Sequence, residues 1–65
     1  MRIKVNGEDK EIEQSRLDLV LAELGYAGLF IAVARNEVIV PKSAYDETVL
    51  SADDQIEIVA PMKGG

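Results

Sequence analysis

The 65-residue chain contains no cysteine and no histidine. Disulfide bonds are therefore excluded, and so are zinc sites built from thiolates and imidazoles. Acyl transfer by a Ser-His or Cys-His pair is excluded as well, because both pairs need an imidazole base. A core of this size supplies only about 3–5 kcal/mol of stability. The fold must therefore rest on apolar packing, and hydrophobic residues make up 48% of the chain.

Basic residues are scarce and long apolar runs are missing. Seven Lys and Arg against twelve Asp and Glu give a net charge of −5. This charge repels phosphate backbones, which argues against nucleic acid as a partner; it favours solubility, or else a basic protein partner. The longest apolar run, residues 26–34, has nine residues when Gly28 is counted. About 20 are needed to span a bilayer, and no signal-peptide core follows Met1. We expect a cytoplasmic protein without membrane contact.

Strands are predicted where apolar and polar residues alternate. Residues 2–5 alternate in this way, which is typical of a half-buried strand. The pair Asn6-Gly7 predicts a tight turn, because both residues tolerate positive φ. A second strand over residues 11–13 then completes a hairpin. Further strands are predicted over residues 29–34, 38–40 and 56–60.

One amphipathic helix is predicted after the hairpin. Ser15 is a favoured N-cap residue, and Gly25 predicts a left-handed residue at the C-terminal end. Between them, four apolar side chains share one stripe at helical spacing. They are Leu17, Val20, Leu21 and Leu24.

The predicted fold is α+β: a mixed five-stranded sheet with one main helix across one face. The first and last strands pair in parallel at its centre, which is the β-grasp (ubiquitin-like) arrangement. Residues 1–61 form the domain, and residues 62–65 form a flexible tail. The predicted core consists of Ile3, Val5, Leu17, Val20, Leu21, Leu24, Ile31, Val33, Ile56 and Ile58.

The tail reads Met62, Lys63, Gly64 and Gly65. With Gly65 as the last residue, its carboxylate is free and ionised at neutral pH. Two glycines form a thread without side chains that can enter a narrow channel. A carboxylate so presented can attack an activated phosphate and become an acyl-adenylate. A Gly-Gly end alone is more typical of a frayed terminus with no role. Its combination with the β-grasp pattern favours a function.

Five segments, at residues 5–7, 24–25, 33–42, 54–59 and 64–65, carry a resemblance that spans the chain. They read VNG, LG, VARNEVIVPK, DQIEIV and GG. In order, spacing and total length they resemble the ThiS family of thiamine-biosynthesis sulfur carriers, within the wider ThiS/MoaD group. Two positions depart from the family pattern, since Glu37 and Asp54 stand where members often carry Gly.

The resemblance implies a carrier rather than an enzyme. A ThiF-like adenylyltransferase would use Mg-ATP to adenylate the Gly65 carboxylate. A sulfurtransferase or cysteine desulfurase system would then replace AMP with sulfur. The resulting thiocarboxylate would donate its sulfur to the thiazole synthase ThiG. The carrier itself would bind no cofactor and no metal, and no side chain would take part in the covalent chemistry.

Three alternatives stay open at this point. The first is a molybdopterin-type carrier like MoaD, although such chains tend to be longer. The second is a ubiquitin-like modifier joined to lysines, which would use the same tail. The third is a β-grasp binding module without tail chemistry, for which deleting Gly65 would change nothing. Lys63 either steers the tail toward ATP phosphates or only adds solubility.

A docking surface is predicted on the sheet face opposite the helix. If strand alternation runs through residues 30–33, Ile31 and Val33 point inward, while Phe30 and Ala32 point outward. An exposed Phe beside small residues suits a protein contact. The competing interpretation is that Phe30 caps one end of the core. The acidic hairpin, residues 8–13, is interpreted as a solvated end rather than a metal site.

Overall fold

The computed structural model describes residues 1–60, which form a single sheet, an α-helix and a 3-10 helix. The elements in chain order are β1 (Arg2–Val5), β2 (Glu8–Glu11), α1 (Leu17–Glu23), β3 (Ala32–Arg35), β4 (Val38–Val40), the 3-10 helix (Lys42–Glu47) and β5 (Gln55–Val59).

The sheet has the strand order β2-β1-β5-β3-β4. The central pair, β1 and β5, is parallel, with Val5 opposite Ile56. The remaining pairs are antiparallel. Since the first and last strands meet at the centre and one α-helix covers one face, the predicted β-grasp arrangement is confirmed.

The core lies between α1 and the face of the sheet that carries the inward residues of β1, β3 and β5. Within residues 1–60 its buried apolar members are Ile3, Val5, Ile12, Leu17, Val20, Leu21, Val33, Leu50, Ile56 and Ile58. Leu24 and Ile31, both predicted as core, are only partly buried and pack against it. Ile12 and Leu50 belong to the core although the sequence patterns did not assign them to it.

The second strand begins earlier than predicted. Asn6 and Gly7 have φ of 52° and 84° and form the predicted tight turn. A two-residue turn pairs the residues that flank it, so Glu8 lies opposite Val5 and β2 starts there. The strand therefore ends at Glu11, and Ile12 leaves the sheet to enter the core.

The third strand begins later than predicted, at Ala32 rather than at residue 29. Gly25 and Gly28 have φ of 94° and 80°. The Leu29 N–H donates to the Tyr26 carbonyl at 3.2 Å, which closes a turn. Residues 26–31 are consequently a loop, and strand alternation does not set the directions of their side chains.

The N-cap position of α1 belongs to Arg16, not to Ser15, and Arg16 makes no capping hydrogen bond through its side chain. The carbonyl of Ser15 instead accepts the Leu50 N–H at 2.8 Å. The Leu17 N–H likewise donates to the Thr48 carbonyl at 2.8 Å. This short bridge to residues 48–50 replaces the predicted cap. The end at Gly25 is confirmed, since its φ is positive.

Glu37 occupies a turn position that favours glycine, with φ of 73°. A left-handed L-residue costs about 1–2 kcal/mol, whereas Gly adds about 0.5–1 kcal/mol of unfolded-state entropy. We expect Glu37→Gly to stabilise the fold by about 0.5–1 kcal/mol, seen as a rise in Tm of about 3–6 °C. The matched control Glu57→Gly, inside β5, should lower Tm instead. A Glu37→Gly variant that melts as low as the control would contradict this expectation.

Candidate functional site

The four predicted tail residues, Met62, Lys63, Gly64 and Gly65, lie outside the described residues. The structure does describe the strand that leads to them. β5 ends at Val59 and is held on both sides, by β1 and by β3. The Asn6 N–H donates to the Ile56 carbonyl at 2.9 Å on the β1 side. The tail segment therefore starts from a strand fixed at the centre of the sheet.

The Asn6 side chain holds the end of β5. Its Oδ1 accepts the Ile58 N–H at 2.8 Å, and its Nδ2 donates to the Ile58 carbonyl at 3.2 Å. The backbone pairing of β1 with β5 stops at Val5 and Ile56, so this amide continues the ladder by two residues. Sequence reasoning assigned Asn6 to a turn only. A pattern of adjacent residues carries no signal for a partner 52 positions away.

The opposite end of β5 is fixed by the carboxylate of Asp54, a residue that is only 8% exposed. This carboxylate accepts hydrogen bonds from Arg35 Nε at 2.9 Å, Asn36 Nδ2 at 3.2 Å and the Ser51 N–H at 2.8 Å. Burial acts to raise the pKa of Asp54. The hydrogen bonds and the Arg35 charge outweigh it, so that this pKa lies below its usual value.

The sheet face opposite α1, here called the open face, has one charged side and one mainly apolar side. On the β1–β2 side it carries ion pairs, such as Lys4 Nζ to Asp9 Oδ1 at 2.9 Å. On the β3–β5 side Glu57 lies opposite Ala34, beside four apolar residues that are paired across the strands. We call this set the apolar patch; it consists of Ala32, Ala34, Ile39 and Val59. Ala32 of the predicted docking pair thus lies where alternation placed it.

Phe30 is 83% exposed, so the interpretation that it caps the core is wrong. It also does not belong to the open face by strand alternation, because β3 begins only at Ala32. Phe30 instead lines a groove of about 490 Å³ at the end of the sheet. The helix residue Leu21, the loop residue Tyr26 and Tyr45 of the 3-10 helix line the same groove, and so does Val59 at the end of β5.

Residues 1–60 contain neither a cluster suited to a metal ion nor a membrane-spanning helix. In this part of the chain no group of three acidic side chains is arranged to hold a metal ion. No helix in it is long and apolar enough to cross a membrane. Three features of residues 1–60 remain as candidates for a function: the groove, the apolar patch and the strand that leads to the tail.

Comparison with known proteins gives a consistent result. The model of the ThiS family matches residues 3–65. Thiazole synthases from Paramagnetospirillum magneticum and Magnetococcus marinus are 39% and 41% identical to the chain over 66 aligned positions. The alignments cover all of this chain but only 20% of each relative. The chain thus spans about a fifth of the length of these curated relatives.

Among solved structures, two of the thiamine biosynthesis protein ThiS from Geobacter metallireducens are similar. The crystal structure superposes with a TM-score of 0.82 at 25% identity, with both chains fully covered. The solution structure gives a TM-score of 0.80 and 25% identity, and 88% of it is covered. Similarity in sequence and in fold thus leads to the same family.

Proposed function

This chain belongs to the ThiS family, and on that basis we propose that it is a sulfur carrier in thiamine biosynthesis and not an enzyme. The observation that carries the proposal is the family match over residues 3–65, which includes Gly64 and Gly65. The similarity to thiazole synthases supports the thiamine branch over a molybdopterin-type carrier or a protein modifier.

In the proposed reaction the Gly65 carboxylate is the reacting group. A ThiF-like adenylyltransferase binds Mg-ATP as its substrate, and a carboxylate oxygen attacks the α-phosphorus with release of pyrophosphate. The acyl-adenylate then carries AMP as a good leaving group. A sulfurtransferase or cysteine desulfurase system supplies a persulfide, whose terminal sulfur displaces AMP and forms an acyl disulfide. A thiol of that system then breaks the S–S bond by forming a disulfide with the other sulfur. The thiocarboxylate formed at Gly65 donates its sulfur to the thiazole synthase ThiG.

The described residues support this proposal by fixing where the tail begins. Asn6 clamps Ile58 near the end of β5, so the strand that precedes the tail is fixed to the rest of the domain. Residues 60–65 follow Val59 in this sequence, and at full extension these six residues reach no more than about 22 Å. A partner that docks the domain therefore controls how far the Gly65 carboxylate enters its active site.

The docking surface in this proposal combines Phe30 with the apolar patch. Aromatic residues dominate binding energy at protein interfaces, where truncating an anchor costs about 2 kcal/mol or more. We expect Phe30→Ala to raise the KM of the adenylyltransferase for the carrier about 30-fold, with kcat unchanged. The measurement is ATP-dependent pyrophosphate release as a function of carrier concentration.

Val38→Ala provides the matched control for this docking prediction. Val38 is 68% exposed, and it lies opposite Arg35 on β4, outside the apolar patch. The KM of the adenylyltransferase for the Val38→Ala carrier should stay near its value for the wild-type carrier. If a folded Phe30→Ala variant kept the wild-type KM, the docking role of Phe30 would be rejected.

The central test is the intact mass of the protein after incubation with ATP, the adenylyltransferase and a sulfur donor. We expect one oxygen to be exchanged for sulfur, and fragmentation to place the exchange at Gly65. A reaction without ATP should leave the mass unchanged. The mass of the untreated protein checks the premise that Gly65 bears a free carboxylate. Sulfur bound at another residue would overturn the proposal.

A further inference from the structure

A carboxylate stands next to the apolar patch on the open face. Side chains alternate along β5, so that Gln55, Glu57 and Val59 are exposed while the residues between them are buried. Glu57 lies opposite Ala34 of β3, and Ala34 lies opposite Ile39 of β4. The negative charge of Glu57 is therefore located where the apolar patch meets the charged side of the open face.

No ion pair within residues 1–60 includes Glu57. The neighbouring strand β1 presents Lys4, which lies opposite Gln55. Lys4 Nζ, however, pairs with Asp9 Oδ1 at 2.9 Å. The described part of the domain thus leaves the Glu57 carboxylate to the solvent.

A depression of about 210 Å³ adjoins Glu57 on the side toward β1. Gly7 lines the depression without a side chain, and Lys4 and Glu37 line it as well. The charge of Lys4 is matched by Asp9, so the carboxylates of Glu37 and Glu57 leave the depression negative. It therefore offers both the room and the charge for a long basic side chain.

A protein that covers the apolar patch also removes water from Glu57. Burying a carboxylate without a partner is costly, so a close-fitting surface has to supply a cation at this point. Arginine meets this need best, because its guanidinium is less strongly hydrated than an ammonium group and binds a carboxylate through two parallel hydrogen bonds.

We propose that Glu57 selects the docking partner of this carrier by pairing with a basic side chain, by preference arginine, that enters the depression from the adenylyltransferase. The apolar patch accepts many apolar surfaces, whereas Glu57 rejects those that bring no matching cation. This inference rests on the proposed docking of the adenylyltransferase on the apolar patch.

The test is the Kd of the full chain for the adenylyltransferase, measured by calorimetry without ATP. We expect Glu57→Gln, which keeps the shape of the side chain, to raise the Kd at least about 30-fold, the loss typical of truncating one partner of a buried charge pair. Glu57→Lys should raise it further, because two like charges then meet. Thermal unfolding of both variants checks that the fold is kept.

Glu47→Lys is the matched control. Glu47 is exposed on the 3-10 helix, outside the sheet, and the substitution changes the net charge as much as Glu57→Lys does. Its Kd should stay within about threefold of the wild-type value, because salt screens charges that lie away from the contact.

Three outcomes would overturn the inference. If wild-type protein and Glu57→Gln bind equally well, the inference fails while the proposed function stands. If Glu47→Lys weakens binding as much as Glu57→Lys, the effect is one of overall charge and not of a contact at Glu57. If the wild-type chain itself does not bind the adenylyltransferase, the proposed partner and the role of Glu57 are rejected together.

Discussion

Deleting Gly65 should abolish thiocarboxylate formation and leave the fold intact. Removing or adding one residue moves the terminal carboxylate by about 3.3–3.6 Å, and a misplacement of even 1 Å can lower a rate about 100-fold. We therefore expect at least a 100-fold loss for the Gly65 deletion, and the same for a chain with Ala added after Gly65. Formation of the thiocarboxylate is followed by intact mass over time.

The matched control for the tail is Lys63→Ala, which keeps the length of the chain. Its rate should stay within a few-fold of the wild-type rate, because the reacting group is not displaced. Thermal unfolding of all three variants should match the wild type, since β5 ends at Val59. Full activity in the deletion variant would refute the carrier mechanism.

Asp54→Ala should destabilise the domain by about 2–3 kcal/mol. The substitution leaves the Ser51 N–H and the Arg35 guanidinium without their acceptor, and hydrogen bonds to charged groups contribute about 1.5–3 kcal/mol. Arg35 is partly exposed and can turn to water, which keeps the loss below that of a fully buried ion pair. Against a total of about 3–5 kcal/mol, this loss removes most of the stability. Urea unfolding measures it, with the exposed Asp46→Ala as control.

The same carboxylate gives stability a defined dependence on pH. Because the pKa of Asp54 is lower in the folded protein than its ordinary value of 3.8, folding favours the ionised form. Its contribution is fully present above pH 3.8 and disappears as the pH falls through the lower folded-state value. Asp54→Asn should flatten the acid side of the urea-midpoint profile. An unchanged acid slope in this variant would contradict the assignment.

Local patterns predicted much of this fold because they depend on neighbouring residues. The Asn6-Gly7 turn, the helix stripe and the alternation in β5 each need only a few positions. The prediction for Ser15 was wrong because its carbonyl bonds to Leu50, and a capping rule contains no information about a residue 35 positions away. Ile12, which has a glutamate on either side, was assigned to a strand, and Leu50 was assigned to no element because no periodic pattern surrounds it.

The candidate site was only partly accessible from sequence. The Gly-Gly tail can be recognised from the sequence without knowledge of the tertiary structure. The position of Phe30, in contrast, depends on where β3 begins. The first residue of β3 is set by two turns, at Gly25 and Gly28. These turns lie in an apolar run, where the periodicity of the sequence does not reveal them. The clamp between Asn6 and Ile58 joins residues that are 52 positions apart. Only the parallel pairing of β1 with β5 brings these residues together.

The pairing of β5 with β1 and β3 also determines when the protein can fold during its synthesis. Within residues 1–60, β5 is the strand synthesised last, and it supplies Ile56 and Ile58 to the core. The sheet remains split into two hairpins until β5 inserts between β1 and β3, and such distant pairing slows folding. A nascent chain therefore cannot complete the fold before residue 59 has left the ribosome. A chain that stops before residue 59 lacks part of the central strand of the sheet, so any fully folded molecule also carries the strand that leads to the tail.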